Sequence, residues 1–200
     1  YPKTVTTRPY QELHCDLAFF SKTAHTYLIC RDLFSGMTHQ QFMGKGKDAM
    51  RTLRAFQKIE ESINFPIAHV ATDSGTEFAK LFAYLRKKGD TKGHKLKTYQ
   101  HAYAAEKAIK DIKQLYRKDQ VQTNARDIRN IISNIVHTIN KRKNRVTGFS
   151  ALDALKTENY GKVFSGRYST YLDKMRDQTF EKSKFKEGDN VRILNTFSAS

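Results

Sequence analysis

The stretch "YQELHCDLAFF", residues 10–20, decides the fold. Its side chains alternate, so Leu13, Cys15, Leu17 and Phe19 share one face of a β-strand while His14, Asp16 and Ala18 share the other. Aspartate is depleted from strand interiors because its short polar side chain packs poorly and competes for backbone hydrogen bonds. Asp16 therefore has three readings: an exposed edge position, a buried pair with a lysine, or a group kept for its chemistry.

Working outward, "TYLICRDLF" (26–34), a Ser-Gly turn and "MTHQQFM" (37–43) predict two more strands, completing an antiparallel meander with the first. The helical spacing of Ala49, Leu53, Phe56 and Ile63 predicts a helix, after which "FPIAHVATD" (65–73) returns as a short buried strand ending at Asp73. "DSG" is good Asx-turn chemistry, so Asp73 has a purely local reading as well as a functional one. Phe78, Leu81, Phe82 and Leu85 mark a helix stopped by Gly89. The irregular "DTKGHKLKTYQHA" (90–102) is read as loop around a short strand near Lys95 to Tyr99.

Two long helices are expected over 102–118 and 125–141. In the second, Ile128, Ile131, Ile132, Ile135, Val136 and Ile139 form a continuous apolar stripe. "GFSALDAL" predicts a turn and short helix, residues 156–183 a helical or linker segment, and "FKEGDNVRIL" the first strand of a small β-module. The element order is that of a mixed α/β layer arrangement.

The 36 Lys and Arg against 20 Asp and Glu give a net charge of +16, and the pI is about 9.8. Such a surplus favours polyanions, nucleic acid first, because each phosphate neutralised releases condensed counterions. No apolar run approaches the ~20 residues of a membrane span. Cys15 and Cys30 are too few and too far apart for a zinc ribbon or finger and are read as free thiols.

In "YAAEKAIKDIKQLYRK" (103–118), Ala105, Ile109, Ile112 and Tyr116 make a buried stripe, and Glu106, Lys110, Lys113 and Arg117 fall on the adjoining face. One acid heads a row of cations. The plain reading is a surface ion pair of Glu106 with Lys110, worth about 0.2–0.5 kcal/mol. The functional reading places Glu106 at a metal and the basic row along a phosphate backbone.

Taken together, "HCDL", "ATDSGTEF" and "AAEKAIKDIKQL" resemble the catalytic core of the retrovirus-like integrases, members of the ribonuclease H-like superfamily with an Asp, Asp, Glu triad. The second motif matches that family's T-D-x-G-x-E-F, and the third matches its E-R-x-x-x-x-(L/I)-K pattern with Lys107 in the arginine position. "NIVHTINKRKNRVTGFSALDAL" resembles the close of the core. The stretch between Asp73 and Glu106 is shorter than the family's usual spacing, and Ala151 stands where the family commonly has proline. The tail resembles the start of the SH3-like or chromodomain-like module of Maverick/Polinton or Ty3-like transposon integrases.

The resemblance implies a ribonuclease H-like mixed five-stranded sheet flanked by helices. It divides the chain into an N-terminal extension (1–9), a catalytic core (10–155), a helical linker (156–183) and an incomplete SH3-like start (184–200), within a longer protein whose zinc domain lies elsewhere. It implies that Asp16, Asp73 and Glu106 are catalytic and hold two Mg²⁺ or Mn²⁺ ions, and that Lys107, Lys110, Lys113 and Arg117 bind DNA. It also implies end processing and strand transfer of element DNA into a double-stranded target, by a homodimer or higher oligomer, in the nucleus or a virus-like particle. Glu77 is expected to support the turn behind the metal, His14 to be a packed neighbour of the site, and "NKRKNR" (140–145) to be an import signal or a solvated helix end. A hydrolytic nuclease of the same fold and a non-catalytic DNA-binding relic are the alternative functions.

Overall fold

The computed structural model of the chain describes residues 5–20, 25–96, 102–122 and 128–180. Alternating side chains in "ELHCDLAFF" form β1 (Glu12–Phe20), which pairs antiparallel with β2 (His25–Asp32), and β2 pairs antiparallel with β3 (Thr38–Lys45). The turn between β2 and β3 is closed by Asp32. One of its oxygens accepts from the Tyr10 amide at 2.8 Å, and the other accepts from the amide and hydroxyl of Ser35 at 2.7 and 2.6 Å. Gly36 supplies the positive φ of 77° that the turn requires.

Helix α1 (Ala49–Glu61) starts on Asp48, whose carboxylate accepts from the Arg51 amide at 2.8 Å, and leads through a loop to β4 (His69–Thr72). Helix α2 (Ala79–Lys88) ends on left-handed Gly89, and β5 (Lys92–Lys95) follows. β4 lies parallel to β1 and β5 parallel to β4, so the sheet order is β3-β2-β1-β4-β5 with β1 at the centre. This is the expected mixed five-stranded sheet.

Among the described residues the fifth strand runs over Lys92–Lys95 and meets the expected Lys95 to Tyr99 at Lys95, while residues 97–99 lie outside the described residues. Gly93 fits this edge to α2. A Cβ there would stand 2.7 Å from a Phe82 ring carbon and 2.9 Å from a Leu85 methyl, so only glycine lets α2 close onto this edge.

Helices cover both faces. One face of β1, with Leu13, Cys15 and Leu17, packs into a core with Phe56, Ile59, Leu81 and Leu85 from α1 and α2. The opposite face ends in Ala18 and Phe20, which pack with Ile109, Ile112 and Tyr116 of α3 (Tyr103–Gln122) and Ile128, Ile132 and Val136 of α4 (Ile128–Lys141). Phe19, on the α1 side by alternation, remains 38% exposed beneath the Lys47 ammonium, 5.1 Å from its ring centre. Helix α4 is fastened to the edge strand by Asn140. Its side-chain oxygen accepts from the Thr38 amide at 2.9 Å and its NH₂ donates to the Thr38 carbonyl at 2.8 Å.

Beyond the core, α5 (Ala151–Ala154) is capped by Ser150 and leads into α6 (Tyr160–Phe180), a helix where a helical or linker segment is expected. Val163 docks α6 on Phe34 of the β2–β3 turn and on Ala154. The expected SH3-like start at 184–200 lies outside the described residues. Among the described residues no helix is long and apolar enough to cross a membrane.

Candidate active site

The three acids singled out in the sequence come to one region through long-range pairing. Asp16 sits midway along the central strand, on the face that α3 covers. The parallel register sets Glu12 beside His69 and His14 beside Ala71, and the same offset carried past the end of β4 sets Asp73 level with Asp16. Glu106 enters from above, in the first turn of α3.

Asp16 registers this company. Burial pushes its carboxyl up to about 6 from 3.8; the Leu17 amide, donating to Oδ1 at 2.7 Å, opposes the rise, and the charges of Asp73, Glu106 and Glu77 add to it. The sequence triad is thus joined by a fourth acid. Glu77 lies in the 3₁₀ turn that follows Asp73 (Thr76–Phe78) and pairs with the Lys47 ammonium at 3.3 Å. Gly75 allows this closeness: a Cβ on it would lie 2.6 Å from Glu77 Oε2 and 3.0 Å from Asp73 Oδ1. Asp73 also makes the Asx turn, its Oδ1 accepting from the Gly75 amide at 3.1 Å.

Among the described residues, no three His, Cys, Asp or Glu side chains are gathered so as to hold a metal ion. Asp16 and Asp73 each spend an oxygen on a local amide, and mutual repulsion among the acids opposes further approach. The donor chemistry nevertheless suits a hard divalent cation. Asp16, Asp73, Glu77 and Glu106 offer carboxylate oxygens, and a cation would relieve the like-charge crowding that raises Asp16.

The basic row lies where the sequence places it. Asp16, Glu106, Lys110, Lys113, Gln114 and Arg117 line a cleft of about 620 Å³. A neighbouring cleft of about 570 Å³ shares Glu106 and Lys110 and adds Tyr103, Lys107 and Asp111. His14 is a packed neighbour rather than part of either cleft wall: its Nε2 meets Glu12 Oε1 at 2.8 Å, with both side chains buried. The motif gives no signal for Lys47, which comes from the loop after β3, nor for the exposure of Tyr103. The residue types "GKGKD" carry no periodicity that would have aimed a lysine at Glu77.

No protein-family model matches the sequence, and no curated protein matches it. Solved structures do match in three dimensions. The HTLV-2 integrase catalytic core domain in complex with magnesium, in its trimeric form, superposes with a TM-score of 0.63 at 18% identity, covering 74% of this chain and 98% of that one. The simian T-cell lymphotropic virus intasome structure gives 0.69 at 16% identity, over 77% of this chain and 57% of that one. The BIV integrase catalytic core gives 0.57 at 15% identity, over 85% and 99%. The chain therefore has the fold of a retroviral integrase catalytic core.

Proposed function

We propose that the chain is the catalytic core of a DNA integrase, a polynucleotidyl transferase that processes the ends of element DNA and joins them to a target duplex. The observation that carries this reading is the nearness of Asp73 and Glu106 to Asp16, midway along the central strand, beside a cleft lined by Lys110, Lys113 and Arg117. Acids flanked by a cationic track fit a phosphodiester whose own charge must be held while one of its bonds is exchanged.

Asp16, Asp73 and Glu106 would hold divalent cations, Mg²⁺ or Mn²⁺, with Glu77 held back by Lys47. When bound, a pair of such ions supplies charge stabilisation to the attacking and leaving oxygens of an in-line displacement. The chain's own residues do the rest. Lys110, Lys113 and Arg117 fix the backbone of the element end, and Lys107 grips it on the other side of Glu106. Asp16, rigid in the central strand, fixes the position against which the scissile phosphate is set. Water is the nucleophile in the first step, releasing a short fragment and leaving a 3′-hydroxyl. That hydroxyl is the nucleophile in the second, displacing a 3′ oxygen of the target strand.

The HTLV-2 core in its trimeric form and the simian intasome support a working assembly of more than one copy. A nuclear site of action agrees with the exposed Lys141, Arg142, Lys143 and Arg145 at the end of α4. Likeness of the tail to Maverick/Polinton or Ty3-like elements is part of the same proposal.

The test is a joining assay with labelled element-end DNA, a target duplex and Mg²⁺ or Mn²⁺. Joined products from the wild type and none from Glu106→Gln are expected. Hydrolysis of an RNA–DNA hybrid without joining would replace the integrase reading with a hydrolytic nuclease, and DNA binding without either reaction would reduce the chain to a binding module.

A further inference from the structure

Tyr103 is the first residue of α3, between Ala102 and Ala104, which are 1% and 9% exposed. Its own side chain is 48% exposed, three residues before Glu106. Leaving that much aromatic surface in water forgoes burial free energy, and a packing role would not require it. The ring is also held from behind. It meets His14 edge-on, with ring centres 5.1 Å apart and planes at 74°, and His14 is itself fixed by Glu12 at 2.8 Å. Burial and the charge of Glu12 raise the Tyr103 hydroxyl above its ordinary value, and Arg167 of α6 opposes this.

Tyr103 lines the 570 Å³ cleft, alongside Glu106, Lys107 and Lys110. Glu106 and Lys110 also belong to the cleft that contains Asp16. A phosphate backbone running down the basic row therefore passes Glu106 and comes next to Tyr103. The two residues are separated by about 4.5 Å along the helix axis, less than one nucleotide of travel. Lysines for phosphates and a fixed aromatic ring beside them are the two parts of a single-strand binding track.

We propose that Tyr103 is a stacking platform for the terminal base of the DNA strand processed at this site. The inference rests on the integrase reading and adds to it how the substrate's end is held. The terminal base pair of a duplex leaves its outer face open, so Tyr103 can stack on the base at the end of the strand without unpairing it. Every base has a π-face, so the contact fixes the position of the strand end without selecting its sequence.

The experiment uses the whole chain and element-end duplexes carrying 2-aminopurine at each terminal position in turn. Fluorescence is read on binding without metal, and joining kinetics are read with Mn²⁺. In the wild type, one terminal position is expected to be quenched on binding. Tyr103→Phe should keep the quench. Tyr103→Leu, which preserves apolar bulk without a π-face, and Tyr103→Ala should both lose it and raise KM for the element end roughly tenfold, with kcat changed far less. Unchanged melting temperatures would show that these variants fold. Equal quenching in wild type and Tyr103→Leu, or a KM indifferent to the ring, overturns the stacking role. A wild type that joins DNA while Tyr103→Ala behaves identically sinks only this inference. A wild type that quenches the terminal base but joins nothing sinks the integrase reading and leaves the platform standing.

Discussion

The two faces of β1 obey different rules. On the α1 side, Leu13, Cys15 and Leu17 are 0%, 0% and 6% exposed and belong to one apolar cluster, as a central strand should. On the α3 side, the same strand places Glu12, His14 and Asp16 in a row before turning apolar again at Ala18 and Phe20. Nothing in backbone geometry separates these faces. The difference lies in what a buried polar group costs, and the α3 side accepts that cost at the one stretch where α3 and the turn after β4 bring further charges.

The sharpest way to break this contrast is to truncate each face in turn. Leu13→Ala removes a fully buried side chain and should cost about 2–5 kcal/mol of stability, measured by denaturant unfolding. On the other face, Asp16→Asn keeps the acceptor for the Leu17 amide and removes the charge. It should stabilise the metal-free protein at neutral pH by up to about 3 kcal/mol while abolishing DNA joining. The sign follows from the folded-state value near 6 against 3.8 for the free side chain. Between those pH values the folded form keeps a proton that the unfolded form has lost. Stability of the wild type in EDTA should therefore fall as pH rises through that window, and the fall should be reduced in Asp16→Asn.

A gentler probe is Gly75→Ala. The backbone there, with φ −57° and ψ 141°, suits any residue, and the nearest atoms to the added methyl are those of the Glu77 and Asp73 carboxylates. Unfolding should shift by no more than about 1 kcal/mol. Joining should fall by one to two orders of magnitude, since the side chains that support and shape the site are displaced. The smallest effect on the folded state belongs to Lys110→Ala combined with Lys113→Ala, both on the cleft wall. Melting should be unchanged, while the slope of log affinity for DNA against log salt should flatten by about two units. An unflattened slope would place those lysines outside the DNA contact.

Much of this arrangement was legible in the residues. Alternation in 10–20 and the isoleucine stripe of α4 gave the right elements because each sets a periodic run of apolar side chains into a packed core. Asp16 was legible as an anomaly in mid-strand, whereas Asp73 and Glu106 each had a local reading, an Asx turn and a helix-surface ion pair, and were singled out by the motifs around them. Local patterning stopped short at distances set by packing. The position of β5 depends on how closely α2 approaches Gly93, which no window around residue 95 contains. The pairing of Lys47 with Glu77 joins two loops, and the exposure of Tyr103 depends on His14, far away in the chain. The parallel register of β1 and β4 was likewise out of reach, yet it is what brings Asp73 level with Asp16.

The double hydrogen bond from Asn140 to Thr38 matters beyond fastening α4. A carboxamide that donates to the carbonyl and accepts from the amide of one residue imitates the next strand of a ladder, at the outer margin of β3. It therefore occupies part of the template along which a second polypeptide could otherwise add and extend the sheet. Replacing it with leucine would expose that margin, and the consequence to watch for is fibrous or amorphous self-association during refolding at high protein concentration.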